Sequence, residues 1–411
     1  MDKFLLGSAT AAHQVEGNNI NSDFWHQEHM KNTRFKEPSN KAVDHYNRYK
    51  EDIDLLKQAN LNAYRFSIEW ARIEPKKGKF DNNEIEHYRD VLNYCISNRI
   101  TPIVTMHHFS SPKWLISEGG WESTKVIEYF TNYCAYVVNE LEDLLEYICT
   151  INEANMGLQI SSKIKKYIGM KEGSIQVGLS NKLLNNEQEK EELMTVFGVD
   201  KANTFLSPRS IESDEIVCLA HQKARKVMKE INNNLKIGLT LSLHDFQSED
   251  NNNKFVNEEW ELEFQRYIKY IKNDEFLGLQ NYTRKIFDET GELPVPSNSK
   301  RTQMGYECYP QALENVIKKV AKEIDIPIMV TENGIATSSD KERVEFITEA
   351  LNGLKRCQDD GINILGYMYW SLLDNFEWQK GFEYTFGLIE VNRNTFERIP
   401  KPSLYCLAKL I

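Results

Sequence analysis

The sequence has no pair of cysteines in a C-x-x-C spacing, and its seven cysteines (Cys95, Cys134, Cys149, Cys218, Cys308, Cys357 and Cys406) are scattered. An odd, dispersed set reads as reduced thiols acting as small hydrophobes, which argues against a disulfide-stapled scaffold and for a cytoplasmic location. No run of about 18 apolar residues occurs, so no helical membrane span is expected. Residues 4–7 already read as a strand, leaving no room for a signal peptide. Excess positive charge is also missing. Acidic residues number 61 against 50 basic ones, giving a net charge of −11, and without a basic face neither nucleic acid nor an anionic membrane is an expected partner. Glycine and proline are sparse, at 20 and 11 of 411 residues. No linker or fixed-period repeat divides the chain, so one domain spanning 1–411 is expected. No glycine-rich phosphate loop follows the first apolar run, and the spacings of His13, His26, His107 and His108 match no zinc motif. No cofactor and no metal are therefore expected. The sequence carries no signal for oligomeric state.

What is present is alternation. Short apolar runs at 4–9, 62–67, 102–106, 147–152, 236–241, 276–280, 327–331 and 365–370 are separated by longer amphipathic segments. Among the latter, Tyr46, Tyr49, Ile53 and Leu56, and Ile127, Phe130, Cys134, Val137 and Leu141, recur at spacings of three and four, which puts each set on one helix face. Eight strand–helix repeats predict an α/β fold of the closed (β/α)8, or TIM-barrel, kind rather than a doubly wound sheet. The least legible stretch is 161–214, which reads as a long surface excursion with a charged segment at 186–192.

Catalytic groups of such barrels collect at the C-terminal ends of the strands. There the sequence places His13, Gln14 and Glu16, then Arg65, His107 and His108, then Asn152 and Glu153. Tyr282, Glu332, Trp370, Glu377 and Trp378 follow at later strands. Glu153 and Glu332, 179 positions apart, would then face each other across the mouth, and two opposed carboxyls are the minimum equipment for cleaving a glycosidic bond. Trp25, Trp114, Trp121, Trp370 and Trp378 neighbour polar or loop residues, where aromatic faces can stack on the C–H faces of sugars.

These residues carry a resemblance. Residues 4–17, 64–75 and 107–109, the Asn152–Glu153 pair, the Thr-Glu-Asn-Gly of 331–334 and the Trp-Ser-Leu-Leu-Asp-Asn-Phe-Glu-Trp of 370–378 resemble the motifs of glycoside hydrolase family 1, the retaining β-glycosidases, over nearly the whole chain. The resemblance implies Glu332 as nucleophile and Glu153 as acid/base, with Arg65 and Tyr282 holding Glu332 ionised and aimed. It implies Gln14, His108, Asn152, Glu377 and Trp378 as ligands of the sugar hydroxyls and Trp370 as the platform under the ring. The implied partner is a small glycoside or oligosaccharide, from which a terminal non-reducing β-D-glucosyl unit, with galactosyl or fucosyl as further candidates, would be released by double displacement.

Physical chemistry gives the reasons for those types. A neighbouring Arg⁺ lowers a carboxyl pKa, whereas burial beside an ionised carboxylate raises one, and each unit of difference is about 1.4 kcal/mol. The retaining route needs the two groups roughly 5–5.5 Å apart. Three departures from the family stand out. Ala154 replaces the usual Pro after the acid/base, with a small change in loop rigidity expected, and Gln280 replaces the usual Asn, putting an aglycone-side or support contact in question. Glu377 stands where relatives acting on 6-phosphosugars generally carry a small hydroxylated residue, so an unphosphorylated substrate is expected. Two rival readings, a transglycosidase favoured by an apolar acceptor side and a non-catalytic sugar-binding homologue, are weighed against hydrolysis. Retention of both glutamates speaks against the second.

Overall fold

The computed structural model describes residues 4–167, 187–250 and 253–409. Its centre is a barrel of parallel strands: β1 (Leu5–Ala9), β2 (Ala63–Ser67), β3 (Thr101–His107), β4 (Tyr147–Ile151), β5 (two runs, Lys236–Gly238 and Thr240–Ser242), β6 (Leu277–Gln280), β7 (Ile328–Asn333) and β8 (Ile364–Trp370). Nearly every strand residue is buried, as a sheet covered on both faces requires. β5 closes the ring. Its first run pairs with β4 and its second with β6, so the strand passes from one neighbour to the other at Leu239. β1 pairs with both β2 and β8, Leu5 lying opposite Gly366 and Ala9 opposite Trp370.

The helices that cover the barrel are α1 (His45–Gln58), α2 (Asn82–Ser97), α3 (Lys125–Leu141), α4 (Ile211–Ile231), α5 (Lys254–Glu263), α6 (Ala312–Glu323), α7 (Asp340–Asp359) and α8 (Pro402–Leu407). Their burial follows the three–four spacing: α3 buries Phe130, Tyr133, Cys134, Val137, Val138 and Leu141. Side-chain caps fix several starts. Asp81 accepts from Asn83 N, Ser210 from Ser213 N, and Ser339 from Glu342 N, each satisfying an amide with no partner inside its helix.

The stretch 161–214, in its described parts 161–167 and 187–214, is more regular than the expected surface excursion. Helix Met156–Tyr167 occupies its start, and helix Glu187–Phe197 takes most of the charged segment, burying Phe197 against Met30 and Ile116. Near its end, Phe205 and Arg209 are buried. Arg209 donates to the carbonyls of Ala154 (2.6 Å) and Phe205 (3.0 Å), so this segment braces the turn after β4. Residues 168–186, which also fell in that excursion, lie outside the described residues. Among the described residues no helix is long and apolar enough to cross a membrane. All seven cysteines are unpaired, and Cys95, Cys134, Cys149, Cys218 and Cys357 are buried.

Candidate active site

The C-terminal mouth of the barrel opens into a cleft of about 1060 Å³, its solvent-open entrance included. Glu153, Glu332, Tyr282, His108, Trp370, Glu377 and Trp378 line it. Arg65 and Asn152 lie beneath, fully buried, and Gln14 lies behind Glu377.

The floor is a layer of side chains contributed by strands from around the ring. Arg65, on β2, sends Nη1 to Glu332 Oε1 and Nη2 to Asn152 Oδ1, both at 2.6 Å. Tyr282 OH donates to the other oxygen of Glu332 at 2.6 Å. Asn152 Nδ2 meets His108 Nε2 at 3.1 Å. Gln280 Nε2 donates to Asn152 Oδ1 at 2.7 Å, so the amide at this position supports Asn152. Glu332 itself sits where the pairing of β7 with both β6 and β8 is irregular. Such a bulge re-aims a side chain at a barrel rim. Behind it, a Cβ on Gly334 would run into the carbonyl oxygen of Trp370, which explains why this turn carries glycine.

The turn bearing Glu153 is pinned to β5. Glu153 N donates to Thr240 Oγ1 (2.9 Å) and Ala154 N to Thr240 O (3.0 Å), while Asn155 Nδ2 donates to Ser242 O (2.7 Å) and Glu263 O (2.9 Å). A proline at 154 has no N–H for the second bond. Ala154 therefore supplies a tie to β5 that a proline would lack. Glu153 adopts a left-handed backbone (φ 43°), as do Phe109 (φ 67°) and Trp378 (φ 47°). Three non-glycine residues in that region around one cavity are the kind of local strain that surrounding structure must hold in place.

The two carboxyls differ in setting. Burial, then the charge of Glu332, pushes Glu153 well above the usual carboxylate range, and a hydrogen bond from Ser242 and the charge of Arg65 oppose this only in part. Among the described residues Glu153 has no ion pair. Glu332 is also raised by burial, against the pull of Arg65 and the hydrogen bonds from Tyr282 and Arg65. The sequence-based expectation of a carboxyl held low by its arginine thus omitted the larger opposing effect, desolvation. Glu377 rises to about 8 through burial and the charge of Glu332. His108 is held well below its usual value by burial and by Arg65, and is neutral. Gln14 donates to Phe376 O at 2.7 Å and leaves its buried Oε1 without a protein partner.

Other candidates turn away from the cavity. His13 is bonded to Glu28 at 2.6 Å and stacks behind Trp378, with ring centroids 5.7 Å apart. Glu16 pairs with Arg72 at 2.7 Å, and His107 faces Ser111 at 2.9 Å. Trp25 packs on His29, Trp114 against Trp70 and Trp121 against His107, so these three tryptophans pack within the shell around the barrel rather than line the cavity. In the other direction, Thr240 and Ser242 belong to the site but had no sequence signal beyond their position at the end of β5.

A closed (β/α)8 barrel with two buried carboxyls at its C-terminal mouth, one bound to an arginine and the other without an ion pair, defines a glycoside hydrolase. The chain belongs to glycosyl hydrolase family 1, whose profile matches residues 1–176 and 284–411. It is 28% identical over 468 residues to β-glucosidase A of Acetivibrio thermocellus, covering 99% of this chain and 97% of that protein. It is 28% identical over 471 residues to a 6-phospho-β-galactosidase of Staphylococcus epidermidis, covering 100% and 97%. Among solved structures, a β-glucosidase at 38% identity superposes with a TM-score of 0.91, covering 99% of this chain and 98% of that one. A β-glycosidase at 39% identity gives 0.89, covering 99% and 95%.

Proposed function

We propose that the protein is a retaining β-glycosidase that releases terminal non-reducing β-D-glucosyl units, with galactosyl and fucosyl units as further substrates, from small unphosphorylated glycosides. The observation that carries this reading is the asymmetry of the two carboxyls: Glu332 is held through both oxygens by Arg65 and Tyr282, whereas Glu153, raised by burial and by the charge of Glu332, has no ion pair among the described residues. Glu332 attacks the anomeric carbon while Glu153 protonates the departing oxygen, leaving a glycosyl ester on Glu332. Esterification removes the charge that helps keep Glu153 protonated, so Glu153 acidifies and takes a proton from the incoming water. Gln14, His108, Asn152, Glu377 and Trp378 bind the sugar hydroxyls and Trp370 carries the ring. A 6-phosphate beside Glu377 would face a buried carboxyl, like-charged once ionised, where a phosphate site needs a cation or hydroxyl, which favours the glucosidase relatives over the phosphoglycosidase one as guides to substrate. Seven unpaired thiols fit a cytoplasmic enzyme.

The test is a panel of nitrophenyl glycosides with Glu332→Gly alongside. The β-glucoside should be turned over, and the 6-phospho-β-glucoside and α-anomers should not. Glu332→Gly should lose hydrolysis by at least about a thousandfold, as expected when a nucleophile is removed, and azide should restore turnover with inverted product. Retained activity in that variant removes Glu332 from its role.

A further inference from the structure

Trp378 opens a 3-10 turn, Trp378–Lys380, in the loop beyond β8, with its backbone in the left-handed region (φ 47°). A strained residue of this kind keeps its geometry only where its neighbours fix it. Phe24 and Phe109 meet the indole obliquely, at 49° and 58°, with centroids 5.0 and 5.2 Å away. His108, which lines the cavity, lies 6.2 Å away at 17°. His13 is different. Its ring is within 5° of the indole plane at 5.7 Å, and it does not line the cavity.

His13 is itself clamped at both nitrogens. Nε2 meets Glu28 Oε1 at 2.6 Å, and the amide of Asn19 faces Nδ1 at 3.0 Å. Glu28, at the end of helix Asp23–Glu28, is gripped through its other oxygen by Ser39 N (2.9 Å) and Ser39 Oγ (2.6 Å). Burial lowers the His13 pKa, but the charge and hydrogen bond of Glu28, with Glu69 and Asp23 nearby, raise it overall. The bond from Nε2 to Glu28 is therefore charge-assisted, which makes it short and strong. The loop that carries Ser39 also reaches the Trp378 turn directly, Lys36 N donating to Gln379 O at 3.0 Å. The same short helix as His13, Ala12–Val15, carries Gln14, which meets Glu377 at 3.4 Å. Adjacent residues thus back adjacent sugar ligands.

We infer that His13, clamped by Glu28, is a positioning residue of the sugar site: it fixes the plane of the Trp378 indole from behind and so sets how well that indole engages a sugar hydroxyl. Neither His13 nor Glu28 touches substrate. The inference rests on the glycosidase reading above, in which Trp378 is a hydroxyl ligand.

The experiment is a double-mutant cycle on kcat/KM for nitrophenyl β-glucoside, with His13→Leu and Trp378→Phe made singly and together. His13→Leu should lower kcat/KM about tenfold in the parent and less than about twofold beside Trp378→Phe, because residues that act through one another are not additive. A fall in folded protein, or a role elsewhere in the structure, multiplies both backgrounds by one factor and so does not imitate this result. Glu28→Leu, which leaves the imidazole in place but unclamped, should follow His13→Leu in both backgrounds and serves in its place if His13→Leu fails to fold. Glu28→Gln can keep the clamp, donating to His13 Nε2 while accepting from Ser39, and should recover kcat/KM to within about threefold of the parent. An equal loss in both backgrounds, no loss with His13→Leu, or a Glu28→Gln variant as poor as Glu28→Leu overturns the positioning role. A parent enzyme that releases no nitrophenol overturns instead the glycosidase reading on which it rests.

Discussion

Glu377 is a carboxyl with its charge nearly suppressed, because burial and the nearby Glu332 oppose ionisation and only Gln14 favours it. Its folded pKa of about 8 exceeds the ordinary 4.5. Between those values the folded protein holds a proton that the unfolded chain has released, so stability falls as pH rises from 4.5 to 8 and levels off above. Glu377→Gln removes that dependence. The variant should gain thermal stability relative to the parent progressively across this interval, with little change in the difference below pH 5. Melting curves at several pH values read it, and a difference constant with pH would place Glu377 in a polar, solvated setting. At this scale the motif residues were legible because their identities are unusual at strand ends: a buried Arg65 or a Glu332 after an apolar run has few structural excuses. Thr240 and Ser242 were not, since a hydroxyl on a strand is common and its role emerges only once β5 is set beside the Glu153 turn. The net lift of Glu332 was illegible for a related reason. Sequence shows the arginine that opposes it but not the depth of burial that causes it.

At the level of elements, the C-terminal ends of β7 and β8 are held in close approach where Gly334 passes the carbonyl of Trp370. Any side chain there forces the two strands apart just where Glu332 and Trp370 are aimed. Gly334→Ala should destabilise the protein by about 3 kcal/mol, the upper range for overpacking a rigid contact, and should lower kcat as well. A shift in the urea midpoint worth less than about 1 kcal/mol would show that the ends can separate freely. Apolar runs located all eight barrel strands to within a residue or two, because parallel strands buried on both faces leave an unbroken hydrophobic signature. The stretch 161–214 left no such trace. Its described part is held by Arg209 reaching the Ala154 and Phe205 carbonyls and by Phe197 on Met30 and Ile116, which are contacts between distant segments rather than a local period. Trp25, Trp114 and Trp121 misled for the opposite reason. Their polar sequence neighbours suggested a binding face, yet each indole packs on an aromatic ring outside the cavity.

Across the whole molecule, the site is assembled from both halves of the barrel. Arg65 and Asn152 belong to the first four strand units, and Glu332, Tyr282 and Gln280 to the last four. Two hydrogen bonds, from Arg65 to Glu332 and from Gln280 to Asn152, join one half to the other. The halves are also locked along two seams, β1 with β8 and β4 with the first run of β5. Either half alone would expose two unpaired parallel edges and the apolar interior, which soluble proteins avoid. We therefore propose that the chain behaves as one domain. Calorimetry should show a single unfolding transition whose midpoint coincides with loss of activity, its van't Hoff and calorimetric enthalpies agreeing. Two resolved transitions, with activity lost at the first, would mean that the seams open independently. The Arg65–Glu332 contact would then serve only catalysis and would not fasten one half of the barrel to the other.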